Sequence, residues 1–214
     1  MKIFLDFDDV LFNTRTFIES MKAVYETCGI SKEIWSDAYR AVKVGFAGEE
    51  RTFDFEAHII ELHKQVSFDE KLLRQKIGAL VKNTERFMFP DTKKFLARLQ
   101  DEKVAIYIVS FGTSDFQTEK IEGANIEEYV EKIIVTSDYK ASTLHEYISD
   151  NDEGVWFFDD RVKYIENVKQ TFPKIRTIFM RREAGRYHDE PTALCDYVAE
   201  NLDEAAKIIM KLEA

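Results

Sequence analysis

Cysteine, proline and glycine are scarce in this 214-residue chain, at two, three and eight residues. So few prolines and glycines argue against long disordered linkers. Cys28 and Cys195 lie far apart and in no metal-ligand spacing, so they read as reduced thiols rather than a disulfide framework or a zinc site. An excess of cations is missing too: 30 Lys and Arg face 40 Asp and Glu, a net charge of −10. General nucleic-acid binding needs clustered cations to displace counterions, so none is expected. An anionic small molecule could still be held by a local cationic site or a metal. No run of eighteen apolar residues occurs, and Asp6 interrupts any signal-like core in MKIFLDFDDV. A cytoplasmic location with no membrane contact is therefore expected, and nothing calls for an obligatory protein partner.

What is present is an ordinary globular composition, 45% hydrophobic and 33% charged. The length suits one domain plus a small insertion. Short apolar runs at 2–6, 104–109, 133–136, 155–158 and 175–180 are nearly continuous rather than alternating. That pattern predicts strands covered on both faces, as in a parallel sheet. Between them, 91–101, 114–121, 141–149, 161–170 and 202–212 carry helical spacing. Strand alternating with helix predicts an α/β domain. Residues 15–86 differ: they hold no convincing strand and read as helices over 15–28, 32–44, 52–66 and 69–82. The chain is thus divided into an α/β core (1–14 and 87–214) and a small all-α insertion (15–86).

In an open α/β sheet, ligands bind beyond the carboxyl ends of the strands. Asp6, Asp8 and Asp9 follow the first strand, Ser110, Phe111 and Gly112 end or follow the second, and Asp159 and Asp160 end or follow the fourth. Asp159 and Asp160 alone could be helix-start residues. Two acidic clusters converging on one edge would repel one another unless a hard divalent cation balanced them.

These residues resemble the haloacid dehalogenase (HAD) superfamily. Asp6-Phe7-Asp8-Asp9-Val10-Leu11 is similar to its first motif, Val104–Ser110 to its second and Val155–Asp160 to its fourth, in the right order. The resemblance implies a Rossmann-like core with a helical C1-type cap inserted after strand one. It further implies a magnesium-dependent phosphatase acting on small-molecule phosphate monoesters. Asp6 would be the nucleophile and Asp8 the general acid and base, its pKa raised by neighbouring carboxylates. Mg2+ would be held by Asp6, the Asp8 carbonyl, Asp159 and Asp160. Ser110, the amides of Phe111 and Gly112, and Lys140 would bind phosphoryl oxygens. Lys132 competes for the lysine role but precedes its strand. A phosphomutase, a phosphonate-cleaving relative and a non-catalytic binding module remain alternatives. Dehalogenases of this fold need no acid for a halide and typically lack the second aspartate, so Asp8 favours phosphate esters.

Asp9 stands where many relatives have Gly, and reads as a turn-former. In the insertion, 43–51 reads as a loop between helices, and Arg51 is a candidate substrate contact. His58 and His63, five apart, do not share a helix face, so a metal site there is not expected. Phe46, Phe53, Phe55 and Phe68 read as cap core. Arg181, Arg182 and Arg186 read as a solvated basic loop.

Overall fold

The computed structural model describes residues 1–42, 44–46, 50–149 and 151–213, excepting the side chains of 44–46, 50–52, 114 and 213. In chain order the elements are β1 (Lys2–Leu5), α1 (Thr14–Glu26), α2 (Lys32–Val42), β2 (Val44–Phe46), β3 (Glu50–Thr52), α3 (Phe55–His63) and α4 (Glu70–Val81). Then come α5 (Thr92–Asp101), β4 (Ala105–Phe111), α6 (Ser114–Glu122), β5 (Lys132–Thr136), α7 (Lys140–Leu144) and β6 (Val155–Asp159). The chain ends with α8 (Val162–Thr171), β7 (Arg176–Met180), β8 (Tyr197–Ala199) and α9 (Leu202–Glu213).

Six strands form one parallel sheet in the order β5-β4-β1-β6-β7-β8. Their apolar runs are continuous because alternate residues enter two separate cores. Ile3, Leu5, Trp156 and Phe158 pack on one face with α5, α9 and the inserted helices. Phe4, Val155 and Phe157 pack on the other with α7 and α8. Each such side chain removed from water stabilises the fold by roughly 1.5–3 kcal/mol. β1 lies between β4 and β6, where the crossovers diverge, so the crevice at its carboxyl end is the expected ligand position.

The inserted helices start on side-chain caps. Asn13 accepts from Thr16 N–H (3.1 Å), Asp54 from Ala57 N–H (2.9 Å) and Asp69 from Leu72 N–H (2.9 Å). The expectation of an insertion without strands is corrected: β2 and β3 pair antiparallel, Val44 opposite Thr52. Each has three residues, too short for an alternating pattern, and Gly45 is a poor strand former. β8 escaped the sequence reading for the same reason of length. The insertion docks on the core at Gly123, whose carbonyl accepts from Thr84 and Glu85 N–H (3.0 Å each). A Cβ on Gly123 would lie 2.0 Å from the Val81 carbonyl oxygen, so the approach requires glycine. Among the described residues no helix is long and apolar enough to cross a membrane.

Candidate active site

The carboxyl ends of β1 and β6 bring Asp6, Asp159 and Asp160 together. One oxygen from each lies within 4.8 Å of the others, and all three are buried. Lys140, at the first turn of α7, is fully buried and reaches between two of them: Nζ is 2.8 Å from Asp6 Oδ1 and 2.6 Å from Asp159 Oδ2. Lys132 starts β5 at its opposite end, exposed. Burial pushes the Asp6 carboxyl up to about 7; Lys140 opposes this, and the charges of Asp159 and Asp8 add to it. Burial, with Asp159 and Asp6 beside it, also raises Asp160 well above the carboxylate range. Asp160 Oδ2 is buried and has no hydrogen-bond partner among the described residues. An orphaned oxygen beside two more carboxylates fits a hard divalent cation.

Asp8 makes its hydrogen bonds outside that cluster. Its oxygens each accept from Lys120 Nζ at 2.8 Å, Oδ2 accepts from Gln117 Nε2 at 2.8 Å, and Oδ1 accepts from the Thr14 hydroxyl. Burial works to raise its pKa, but the charges of Lys120 and Arg186 outweigh burial and hold the carboxyl well below the usual range. The expectation of a raised pKa for Asp8 is therefore corrected. The neighbours that decide it are cations contributed by α6 and by the loop after β7, not the acidic residues adjacent in sequence.

Ser110 is buried near the end of β4, where its Oγ accepts from Gln117 Nε2 at 2.7 Å. Phe111 and Gly112 line the same cavity as Asp6 and Asp8. The Gly112 amide, expected to serve a phosphoryl oxygen, donates instead to the Thr136 carbonyl at 3.0 Å. Gly112 matters by its lack of a side chain, since a Cβ there would lie 2.9 Å from Gln117 Cβ. Arg51 belongs to β3, and its side chain lies outside the described residues, as does Phe46's.

The sequence profile of the haloacid dehalogenase-like hydrolases matches residues 3–150, more than half of the chain. This chain belongs to that family. Its fold is shared with solved members across nearly the whole length. A protein from Burkholderia xenovorans LB400 assigned to the same family is 14% identical, with a TM-score of 0.74 over 99% of this chain and 97% of that one. L-2-haloacid dehalogenase from Xanthobacter autotrophicus, solved with chloropropionic acid covalently bound, is 15% identical, with a TM-score of 0.64 over 98% of each chain. The HAD-hydrolase YfnB from Bacillus subtilis, solved bound to magnesium, is 19% identical, with a TM-score of 0.60 over 97% of each. At these identities the likeness is one of fold. No curated protein matches the chain in sequence.

Around the HAD motifs stand residues that sequence reasoning missed. Lys120 and Gln117 lie on one face of α6, three apart, and both reach Asp8. Helical spacing makes them neighbours, but nothing local in the sequence points them at a residue more than 100 positions away. Asp9 has φ +56°, the left-handed region that Asp tolerates, which fits the expected turn. It is also fully buried, and its Oδ2 accepts from Arg186 Nε at 2.6 Å. The reading of Arg181, Arg182 and Arg186 as a solvated loop holds for Arg181, which is exposed, and is corrected for the other two. Arg182 is buried, donating to Asp91 through both terminal nitrogens (3.1 and 3.0 Å) and to the Val10 carbonyl through Nε (2.8 Å). Arg186 lines the active-site cavity. Phe53 is likewise not simply cap core: it lines that cavity, packs on Phe116 of α6, and its carbonyl accepts from Thr113 Oγ1 at 3.0 Å.

Proposed function

We propose that this HAD hydrolase is a divalent-cation-dependent phosphatase of small phosphate monoesters, with Asp6 as nucleophile. The observation that carries the reading is the buried set of Asp6, Asp159 and Asp160, in which Lys140 pairs with Asp6 and Asp159 but not with Asp160. Such a set needs a further positive charge, and Mg2+ suits its all-oxygen donors. Asp6 and Asp160, with Asp159 directly or through water and the Asp8 carbonyl, would hold the ion. When bound, it would neutralise charge on the phosphoryl oxygens and polarise them.

The chain's own residues supply the rest. Asp6 attacks phosphorus, forming an aspartyl-phosphate as the bond to the leaving oxygen breaks. Lys140 and Ser110 steady the equatorial oxygens, where charge is spread in the transition state. Asp8 gives its proton to the leaving oxygen, then takes one from the water that cleaves the acyl-phosphate and frees Asp6. Because Lys120 and Arg186 keep Asp8 ionised, it must be loaded first. An incoming phosphoryl dianion beside Asp8 repels its carboxylate and favours the neutral form, so Asp8 takes up its proton together with the substrate.

One observation favours a second reading. An Asp8 held as an anion suits a reaction whose leaving group needs no proton, such as halide release from a 2-haloacid. Two assays separate the readings: phosphate release from 4-nitrophenyl phosphate with and without Mg2+, and chloride release from 2-chloropropionate. The phosphatase reading expects Mg2+-dependent phosphate release that Asp6→Asn abolishes. Chloride release without added metal, and no phosphate release, would replace it.

A further inference from the structure

Arg186 is held unlike the other cations of the site. Lys140 is bound between Asp6 and Asp159, Lys120 is spent on both oxygens of Asp8, and Arg161 Nε donates to Asp189 at 3.1 Å. Arg186 uses only its main-chain N–H and Nε, both toward Asp9 Oδ2 (3.4 and 2.6 Å). Its terminal nitrogens meet no hydrogen-bond acceptor among the described residues, while the side chain, 26% exposed, lines the cavity that contains Asp6 and Asp8. A guanidinium anchored through Nε still has donors on its terminal nitrogens to offer an acidic group.

Asp9 is the aiming device. A fully buried carboxylate in a left-handed turn is costly, and here its Oδ1 has no partner among the described residues. A turn alone would not need it, since glycine or asparagine holds φ +56° with no buried charge. What Asp9 adds is a fixed direction for Arg186. Arg186 and Asp8 line the same cavity, and Asp8 marks its proton-donor side, where a leaving group would sit. Apolar walls there include Phe17, Met21 and Phe53, with the polar Tyr39 and Arg161 also lining the cavity. The cavity holds about 130 Å³ and is partly open to solvent, so this volume receives the phosphoryl end and the atoms next to it.

Building on the phosphatase reading above, we infer that Arg186 selects a small phosphorylated carboxylic acid, taking the carboxylate of the leaving group on its terminal nitrogens. Arg186 acts in specificity; Asp9 is a positioning residue that works through it.

The test uses two unreactive phosphonates in the presence of Mg2+, 3-phosphonopropionate and propylphosphonate, which differ by a carboxylate in place of a methyl group. Titration calorimetry on the full chain is expected to give about 10- to 100-fold tighter binding of 3-phosphonopropionate, the range for a charge-assisted contact. Arg186→Gln should erase that preference while propylphosphonate binds within about threefold of wild type. Arg186→Lys, which keeps the charge beside Asp9 but not the fork, should lose most of the preference and guards against a merely misfolded variant. Asp9→Asn should lose part of it, through lost aim. Equal binding of the two probes by the wild type overturns the inference and leaves the phosphatase reading standing. So does equal weakening of both probes in Arg186→Gln and Arg186→Lys, which would make Arg186 a phosphoryl contact or a loop tether. If neither probe binds the wild type, the phosphoryl site itself is wrong and both proposals fall.

Discussion

At the scale of single residues, the site is an exercise in where buried charges find partners. Asp6 and Asp8 are two positions apart, the first buried and the second partly so, yet their acidities move in opposite directions. Burial and like charge raise Asp6; two cations outweigh burial at Asp8. The difference depends on Lys120, whose own side chain is 5% exposed against 17% for Asp8. Removing one partner of such a pair leaves an uncompensated charge. Lys120→Met should therefore lower the unfolding free energy by about 2–3 kcal/mol, read as a lower urea midpoint at unchanged slope. A change below about 0.5 kcal/mol would show that Asp8 is satisfied without it. The motif Asp6-Phe7-Asp8 was legible in the chain because both residues follow a buried strand. The charge state of Asp8 was not, because its partners are 112 and 178 residues distant.

Among the elements, the inserted helices are locked by a histidine rather than by hydrophobic contact alone. His58 of α3 is fully buried between α1 and α2, 3.1 Å from the Tyr25 hydroxyl through Nδ1 and 3.2 Å from the Trp35 carbonyl through Nε2. A carbonyl can only accept, so Nε2 carries the proton and Nδ1 accepts from Tyr25, a neutral ring with both nitrogens satisfied. Burial pulls its pKa down to about 4. The sign follows: between about 6.5 and 4 the unfolded chain takes up a proton that the folded one refuses, so this contribution is complete above 6.5 and lost as pH falls. Its size is about 3 kcal/mol at most. Comparing wild type with His58→Gln by chemical denaturation, the stability gap should widen as pH rises from 4 to 6.5 and stay level above it. A gap that is flat across this window would mean that His58 is protonated in place. Helices of nine residues or more were legible here from their spacing, while the caps Asp54 and Asp69 came only with the structure. The three-residue strands β2, β3 and β8 were not, since two or three side chains cannot display a period.

For the molecule as a whole, the acidic cluster makes stability depend on what neutralises it. Folding confines three carboxylates that an unfolded chain keeps apart, so an ion that binds only the folded state stabilises it by mass action. Millimolar Mg2+ should raise the melting temperature by about 5 °C, and Asp160→Asn should abolish the shift. The shift should be larger at pH 8 than at pH 6, because Asp6, with its pKa near 7, must give up its proton to serve as a ligand. No shift at either pH would remove the cation from the proposal. The parallel sheet and the carboxylates at its carboxyl edge could be read along the chain, because strand period and strand-end chemistry are properties of neighbouring residues; Lys140 was named only through the resemblance to the family. Only the folded molecule set Lys120 and Gln117 against Asp8 and brought Arg186 to Asp9 across 177 positions. Such pairings depend on how the crossover helix and the loop after β7 close over the strand ends. That closure is decided by packing throughout the molecule, not by any local pattern.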